Sequence, residues 1–216
     1  MDMEKKGIFE NDFCSTLPPH RNLQQKEMIY VGWDKPPEGW IKLNSDGACK
    51  GGGENSGCGG LFRSSDGIWL KGYIRKVGVC DALHAELWGM YLGLDMAWRE
   101  HITQLIVESD SKTLIDMVTG SCMFSGAIPT LERRIHNLLT LDWHVQFHYT
   151  WREGKRCADW LTTFILSLDS FVVTRLEYPP SELHSFFFDD ISRTCFPRHV
   201  QLVIEFSAGP LAFVQK

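Results

Sequence analysis

The sequence predicts an α/β domain: a mixed five-stranded sheet, three antiparallel strands followed by helical crossovers, flanked by helices. Three observations predict it. Apolar and polar residues alternate from Trp40 to Val77, interrupted only by turn residues. After Cys80 the period becomes that of an amphipathic helix. Beyond that helix, short apolar runs alternate with helical segments, which is the pattern of crossovers between strands.

Each element has its own signal. Asp34 to Gly39 (DKPPEG) leads into the first strand, because adjacent prolines remove two backbone donors. Trp40 to Cys49 (WIKLNSDGAC) is that strand, with Ile41 and Leu43 on one face and Lys42, Asn44 and Asp46 on the other. The Gly-rich stretch Lys50 to Gly57 reverses the chain. Gly59 to Ser64 and Ile68 to Val77 are the second and third strands, joined by the turn Ser65 to Gly67. Asp81 to Glu100 is a helix with Asp81 as its N-cap and an apolar stripe of Leu83, Leu87, Met90, Leu94 and Ala97. Leu105 to Val107 is continuously apolar and reads as an interior strand, ending in Glu108 to Ser111 (ESDS). Asp110 or Ser111 opens a short helix, Lys112 to Val118, and a turn over Gly120 to Ser125 follows. Pro129 suits the first turn of a helix running to about Leu139. Trp143 to Trp151 is the fifth strand, and a last helix spans about Lys155 to Leu168. Residues 1–32 form a polar N-terminal extension, 33–168 the domain, and 169–216 a C-terminal extension. The latter holds Pro179-Pro180, the cluster Phe186-Phe187-Phe188 and a strand-like piece from Val200 to Phe206, and it pads the sheet, covers an edge or stays poorly ordered.

Composition narrows the function classes. With 44% hydrophobic and 23% charged residues in 216, the chain is neither wholly disordered nor fibrous. A net charge of -5 excludes a globally basic coat for nucleic acid but leaves room for a local basic groove. Seven scattered cysteines without a CxxC pair argue against structural zinc and against a secreted disulfide scaffold. No run reaches the roughly 18 apolar residues of a membrane span, and the first residues lack a signal-peptide core. The expectation is a soluble intracellular protein without a membrane partner, with nucleus and cytoplasm not distinguished and protein partners unknown.

Four acids sit where the predicted structure changes element: Asp46 ending the first strand, Glu86 in the first turns of the long helix, Asp110 after the fourth strand, and Asp159 early in the last helix. Glu86 shares a helical sector with Ala82, Met90, Gly93 and Ala97, an apolar surrounding that a carboxylate tolerates only with a cation at hand. Taken singly, each acid also has a plain reading, as a salt bridge, a turn acid, a cap or a solvated charge. Taken together at one sheet edge, they would repel and raise one another's pKa. Hard divalent cations remove that cost, and oxygen ligands suit Mg²⁺ or Mn²⁺. Two such ions roughly 4 Å apart clamp the attacking and leaving oxygens of a phosphodiester.

At this point the residues resemble a family. The stretches GWIKLNSDGACKGG (39–52), GCGGLFRSSDGIWLKGY (57–73), ALHAELWGMYLGLDMA (82–97), LIVESDSKTLIDMV (105–118) and WREGKRCADWL (151–161) are similar to the ribonuclease H-like domain of plants, related to the ribonuclease H segment of non-LTR retroelement polyproteins. The resemblance implies a ribonuclease H-like fold over about residues 33 to 168, and Asp46, Glu86, Asp110 and Asp159 as catalytic metal ligands for two Mg²⁺ or Mn²⁺ ions. It implies contacts to an RNA–DNA hybrid from the first motif, the loop Gly51 to Gly57, and polar side chains; Asn44, Asn55, Ser111 and Thr113 are candidates. Arg152, Lys155 and Arg156 flank the Asp159 end and are placed to meet phosphate. The sequence departs from the family in two places. Lys155 stands where the family commonly carries Asn. Tyr149 stands where many members carry a proton-shuttling His; His148, one residue earlier, reaches the site only through a register slip or a bulge.

The leading expectation is a metal-dependent endonuclease that hydrolyses the RNA strand of RNA–DNA hybrids. The alternative is a catalytically weak or inactive nucleic-acid-binding domain derived from a retroelement. A third is an interaction protein that uses its aromatic tail.

Overall fold

Strands form where the alternation is strongest, and glycines and Asp-Gly turns separate them. The computed structural model describes residues 24–121 and 129–203. In chain order the elements are β1 (Gln24–Val31), β2 (Ile41–Lys50), β3 (Asn55–Arg63), β4 (Trp69–Gly78), α1 (Ala82–Arg99), β5 (Gln104–Ser109), α2 (Lys112–Val118), α3 (Pro129–Leu139), β6 (His144–Tyr149), α4 (Arg156–Leu166), β7 (Thr174–Leu176), α5 (His184–Ile191) and β8 (Phe196–Val203). The expected N-terminal extension lies mostly outside the described residues, as do part of the turn after Gly120 and the end of the piece running to Phe206. From Gln24 to Val31 that extension is strand, paired with β8 in a two-stranded ribbon. The chain divides into two units, one of them Tyr30–Arg198, which carries everything described below.

The sheet of that unit runs β6-β5-β2-β3-β4-β7. β2, β3, β4 and β7 are antiparallel neighbours, whereas β5 pairs parallel to both β2 and β6. The mixed sheet flanked by helices is as the sequence predicts, but it has a sixth strand. β7 is three residues from the C-terminal extension, laid along Gly72, Tyr73 and Ile74 of β4. Its own sequence is too short to alternate. It exists because β4 would otherwise present an open row of backbone donors and acceptors.

Helices cover both faces. On one side Leu87, Met90 and Leu94 of α1, with Leu114 of α2 and Ile135 of α3, pack on Leu43, Leu105 and Val107. The predicted apolar stripe of α1 is this contact, and Asp81 caps the helix by accepting from the His84 amide at 2.8 Å. On the other side Leu161 and Ile165 of α4 pack on Leu61 and Ile74, together with Leu183 from the extension.

A chain of buried polar groups crosses this second side. Arg63 lies 3.6 Å from the face of Trp33, pairs with Asp190 at 2.5 Å and donates to Asn44 Oδ1 at 2.7 Å. Trp33 Nε1 donates to the same oxygen at 3.0 Å, and Asn44 Nδ2 donates to Glu108 at 2.7 Å. Lys42 closes the chain on Glu108 at 2.5 Å and on the Asp34 carbonyl at 2.7 Å. Paired in this way, charges within a sheet layer are tolerated; with one partner removed, they are not. The extension is therefore part of the folded unit through Asp190. Replacing Asp190 by Asn leaves a buried guanidinium without its countercharge and is expected to lower the unfolding free energy by about 3–5 kcal/mol, measured by urea denaturation. An unchanged midpoint would show that the extension is not held by this pair.

Candidate functional site

Period-two geometry builds the site. β2 and β5 are parallel neighbours in which Asn44 pairs with Glu108. Two residues further along each strand, Asp46 and Asp110 therefore come level on the same face. Helix α1 brings the third acid by close approach. A Cβ on Gly47 would lie 2.2 Å from the Glu86 backbone nitrogen, so only glycine lets the first turns of α1 press onto β2.

Between Asp46 and Asp110 stands a lysine. The Lys155 ammonium bonds to Asp46 Oδ1 and, at 2.5 Å, to Asp110 Oδ1, and it reaches the Ser45 carbonyl at 3.5 Å. Its side chain is 0% exposed. It comes from a single 3₁₀ turn, Arg152–Lys155, between β6 and α4. Glu86 accepts from Ser109 Oγ at 3.4 Å. Asp159, at the outer side, is engaged by Arg152 through Nη2 at 2.7 Å and Nε at 2.9 Å.

The electrostatics follow from this arrangement. Burial alone would drive Lys155 to lose its proton, but the carboxylates of Asp46 and Asp110 outweigh burial and hold its pKa above the ordinary lysine value. Asp46 is pushed up by burial, against the pull of the same ammonium. Of the two directions, that of Lys155 sets the charge of the site, because two carboxylates converge on one ammonium. Burial pushes Glu86 up to about 7; Lys155 opposes this, and the neighbouring Asp110 and Asp46 add to it.

The structure thus brings Asp46, Glu86 and Asp110 to one edge, and it places Asp159 against Arg152. The donor set they offer is that of an ammonium site. Among the described residues no three or more acids, histidines or cysteines are arranged to hold a metal ion. The expected two-ion clamp does not fit the residues as placed, since the space Asp46 and Asp110 would give to a cation already holds one.

The other expected residues find plain structural partners. Asn44 is a correction: it is fully buried, and both ends of its amide serve Trp33, Arg63 and Glu108, so it does not face a substrate. Asn55 ties the start of β3 to the Leu166 carbonyl at 3.1 Å. Ser111 caps α2, accepting from the Leu114 amide at 3.4 Å. The basic trio is likewise corrected. Lys155 meets the acids, Arg152 meets Asp159, and Arg156 meets Asp189 at 2.8 Å, so each is paired within the chain. β5 and β6 pair without a register slip or bulge, and His148 lines an open groove with Asp34, Glu108 and Gln146, to which none of the four acids contributes. The residue whose role the sequence reading missed is Lys155. Its signal was present as a departure from the family's Asn, but it was read as a phosphate contact.

Residues 44–165 match the reverse transcriptase-like family, and the chain belongs to that family. It is a ribonuclease H-like domain related to retroelement proteins. An Arabidopsis thaliana protein named "Putative ribonuclease H protein" is 33% identical over 172 residues, covering 80% of this chain and 28% of that protein, so the chain spans less than a third of that relative's length. The N-terminal RNase H domain of a Mycobacterium tuberculosis protein superposes with a TM-score of 0.56 at 21% identity, over 59% of this chain and 93% of that one. RNase H1 from Halobacterium salinarum gives 0.55 at 22%, over 59% and 97%. These likenesses establish the fold. Among the described residues no helix is long and apolar enough to cross a membrane.

The raised pKa of Glu86 has a measurable consequence. The folded state keeps a proton on Glu86 between pH 4.5 and about 7 that the unfolded chain has lost. Stability therefore falls as pH rises through that window. Glu86→Gln removes this dependence. From the bottom of the window to pH ~8, the unfolding free energy of the variant is expected to improve relative to wild type by about 2–3 kcal/mol, measured by urea denaturation at both ends. A constant difference would show that Glu86 titrates normally.

Proposed function

We propose that this domain binds RNA–DNA hybrid or a closely related nucleic acid as a catalytically weak or inactive descendant of a retroelement ribonuclease H. One observation carries the reading: the Lys155 ammonium between Asp46 and Asp110. A divalent cation entering there has to displace a buried ammonium from two carboxylates. Breaking such a pair costs about 3–5 kcal/mol, which weakens cation binding by roughly a hundred- to a few thousandfold. The same ammonium neutralises part of the acid cluster without any metal. That leaves the hybrid-facing edge less repulsive to phosphate than bare carboxylates would be. An RNA strand is recognised through its 2′-hydroxyls in a shallow minor groove, which is shape recognition and needs no ion. Protein partners and cellular compartment are outside this reading.

The retention of Asp46, Glu86, Asp110 and Asp159 supports a second reading, an active metal-dependent hybrid nuclease in which Lys155 yields its place. The two are separated by Lys155→Asn, which restores the family's residue. Under the first reading, wild-type chain binds labelled hybrid equally with Mg²⁺ or EDTA and cleaves it at least about a hundredfold more slowly than the variant. Fluorescence anisotropy and gel-resolved cleavage measure the two quantities. Wild type that cleaves hybrid in Mg²⁺ as fast as Lys155→Asn overturns the first reading in favour of the second. Wild type with no affinity for hybrid under either condition overturns both.

A further inference from the structure

Lys155 is held in place from outside the acid site. The short turn that carries it is fastened at its other residues by the segment beyond α5. Arg198 Nη1 donates to both carboxylate oxygens of Glu153, at 2.9 and 2.8 Å, and its guanidinium lies 4.1 Å from the Trp151 ring centre. Next in the chain, Arg156 pairs with Asp189 at 2.8 Å and stands over Phe196 at 4.2 Å and Phe186 at 4.6 Å. Behind the turn the backbones are stacked without space for side chains. A Cβ on Gly154 would lie 3.1 Å from the Gly32 carbonyl oxygen and 2.6 Å from Thr150 Oγ1. A Cβ on Gly32 would lie 2.7 Å from the Thr194 carbonyl oxygen. Thr194, Gly32 and Gly154 thus form three successive layers. The turn that presents Lys155 has its back against Gly32, and Gly32 has its back against the C-terminal segment.

We infer that Arg198 and Glu153 are positioning residues for Lys155: the C-terminal segment latches the turn that keeps the ammonium between Asp46 and Asp110. Three features support a latch over incidental packing. The Arg198 Nη1 nitrogen engages both Glu153 oxygens while the guanidinium lies over Trp151, which fixes orientation as well as distance. The contact falls two residues from the ammonium, on the same turn. A side chain at Gly32 would force its layer off Thr194, and one at Gly154 would clash with the Thr150 hydroxyl and press on Gly32. Gly154 also closes the turn through its own amide, which donates to the Trp151 carbonyl at 2.9 Å. Releasing Arg198 therefore loosens Trp151, Glu153 and Gly154 together, and Lys155 with them. The inference rests on the proposed role of Lys155 as resident cation. It adds that a segment outside the matched span of the family decides whether that cation stays.

The test reads the position of Lys155 directly in the full chain. Wild type, Arg198→Ala, Glu153→Gln and the charge-exchanged pair Glu153→Arg with Arg198→Glu are treated with a water-soluble acetylating reagent. Modification of each lysine is then followed by peptide mass spectrometry. In wild type Lys155 is modified far more slowly than the exposed Lys50 and Lys112. Both single variants are expected to speed its modification about tenfold, the effect of losing one ring-stacked ion pair, while the rates of Lys50 and Lys112 stay constant. The exchanged pair is expected to slow it again. Unchanged Lys155 modification in both single variants, with circular dichroism as in wild type, overturns the latch. Should either variant fail to fold, Arg198→Lys keeps the charge and loses the planar group over Trp151. Deuterium exchange at the Gly154 amide then gives the answer: faster exchange supports the latch, and wild-type exchange overturns it. No metal or nucleic acid enters these measurements. A separate Mn²⁺ titration of the same variants bears on the resident-cation reading alone: a Lys155 that is freed while the acids still take no Mn²⁺ counts against that reading and leaves the latch standing.

Discussion

An ammonium placed between two carboxylates, away from water, is the constraint to which the rest of this molecule answers. Lys155 is fully buried, and the charge it carries is kept there only by Asp46 and Asp110. Take away the acids and burial would neutralise it; take away the lysine and burial would act on the acids alone. The site is thus a mutually dependent set. Its members come from β2, from the end of β5 and from the turn after β6, so the correct parallel pairing of these strands is a condition for the charge balance as well as for the core.

The same logic recurs a few residues away. Along β2 the buried polar positions Lys42 and Asn44 are satisfied in turn, Lys42 by Glu108 and Asn44 by Glu108, Trp33 and Arg63, and Arg63 pairs with Asp190 of the extension. One strand therefore carries two polar clusters side by side. One is a structural network that joins the extension to the sheet, and the other is the acid site with its lysine. Both use a cation supplied by the chain itself. The extension supports each of them, through Asp190 in the first and Arg198 beside the second.

Membership of the reverse transcriptase-like family accounts for the sheet and for the order of its elements. It does not account for Lys155. Its ammonium neutralises part of the acid cluster at the place where a cation would be drawn in. Fold and chemistry can part in this way because the fold depends on apolar periodicity, whereas the chemistry depends on the charge of a few side chains at its edge.

Much of this was legible in the residues alone. The alternation of β2 to β4, the stripe of α1, the Asp81 cap and the Pro129 helix start all follow from local pattern, because backbone periodicity and capping are set by near neighbours in sequence. The four acids were also recognisable, as charges at element ends. What sequence could not supply was the partner of each charge. Asn44 and Arg63 are 19 residues apart, Lys155 and Asp46 109, and Arg63 and Asp190 127, and no local pattern reports on such pairs. The edge strand β7 is of the same kind, since its three residues have no strand signal and are ordered by β4. The sequence by itself determined the elements from β2 to α4 and which of their faces are apolar. Only the tertiary structure decided that the acids meet a lysine, because that depends on which distant backbone lies beside which once the sheet has closed.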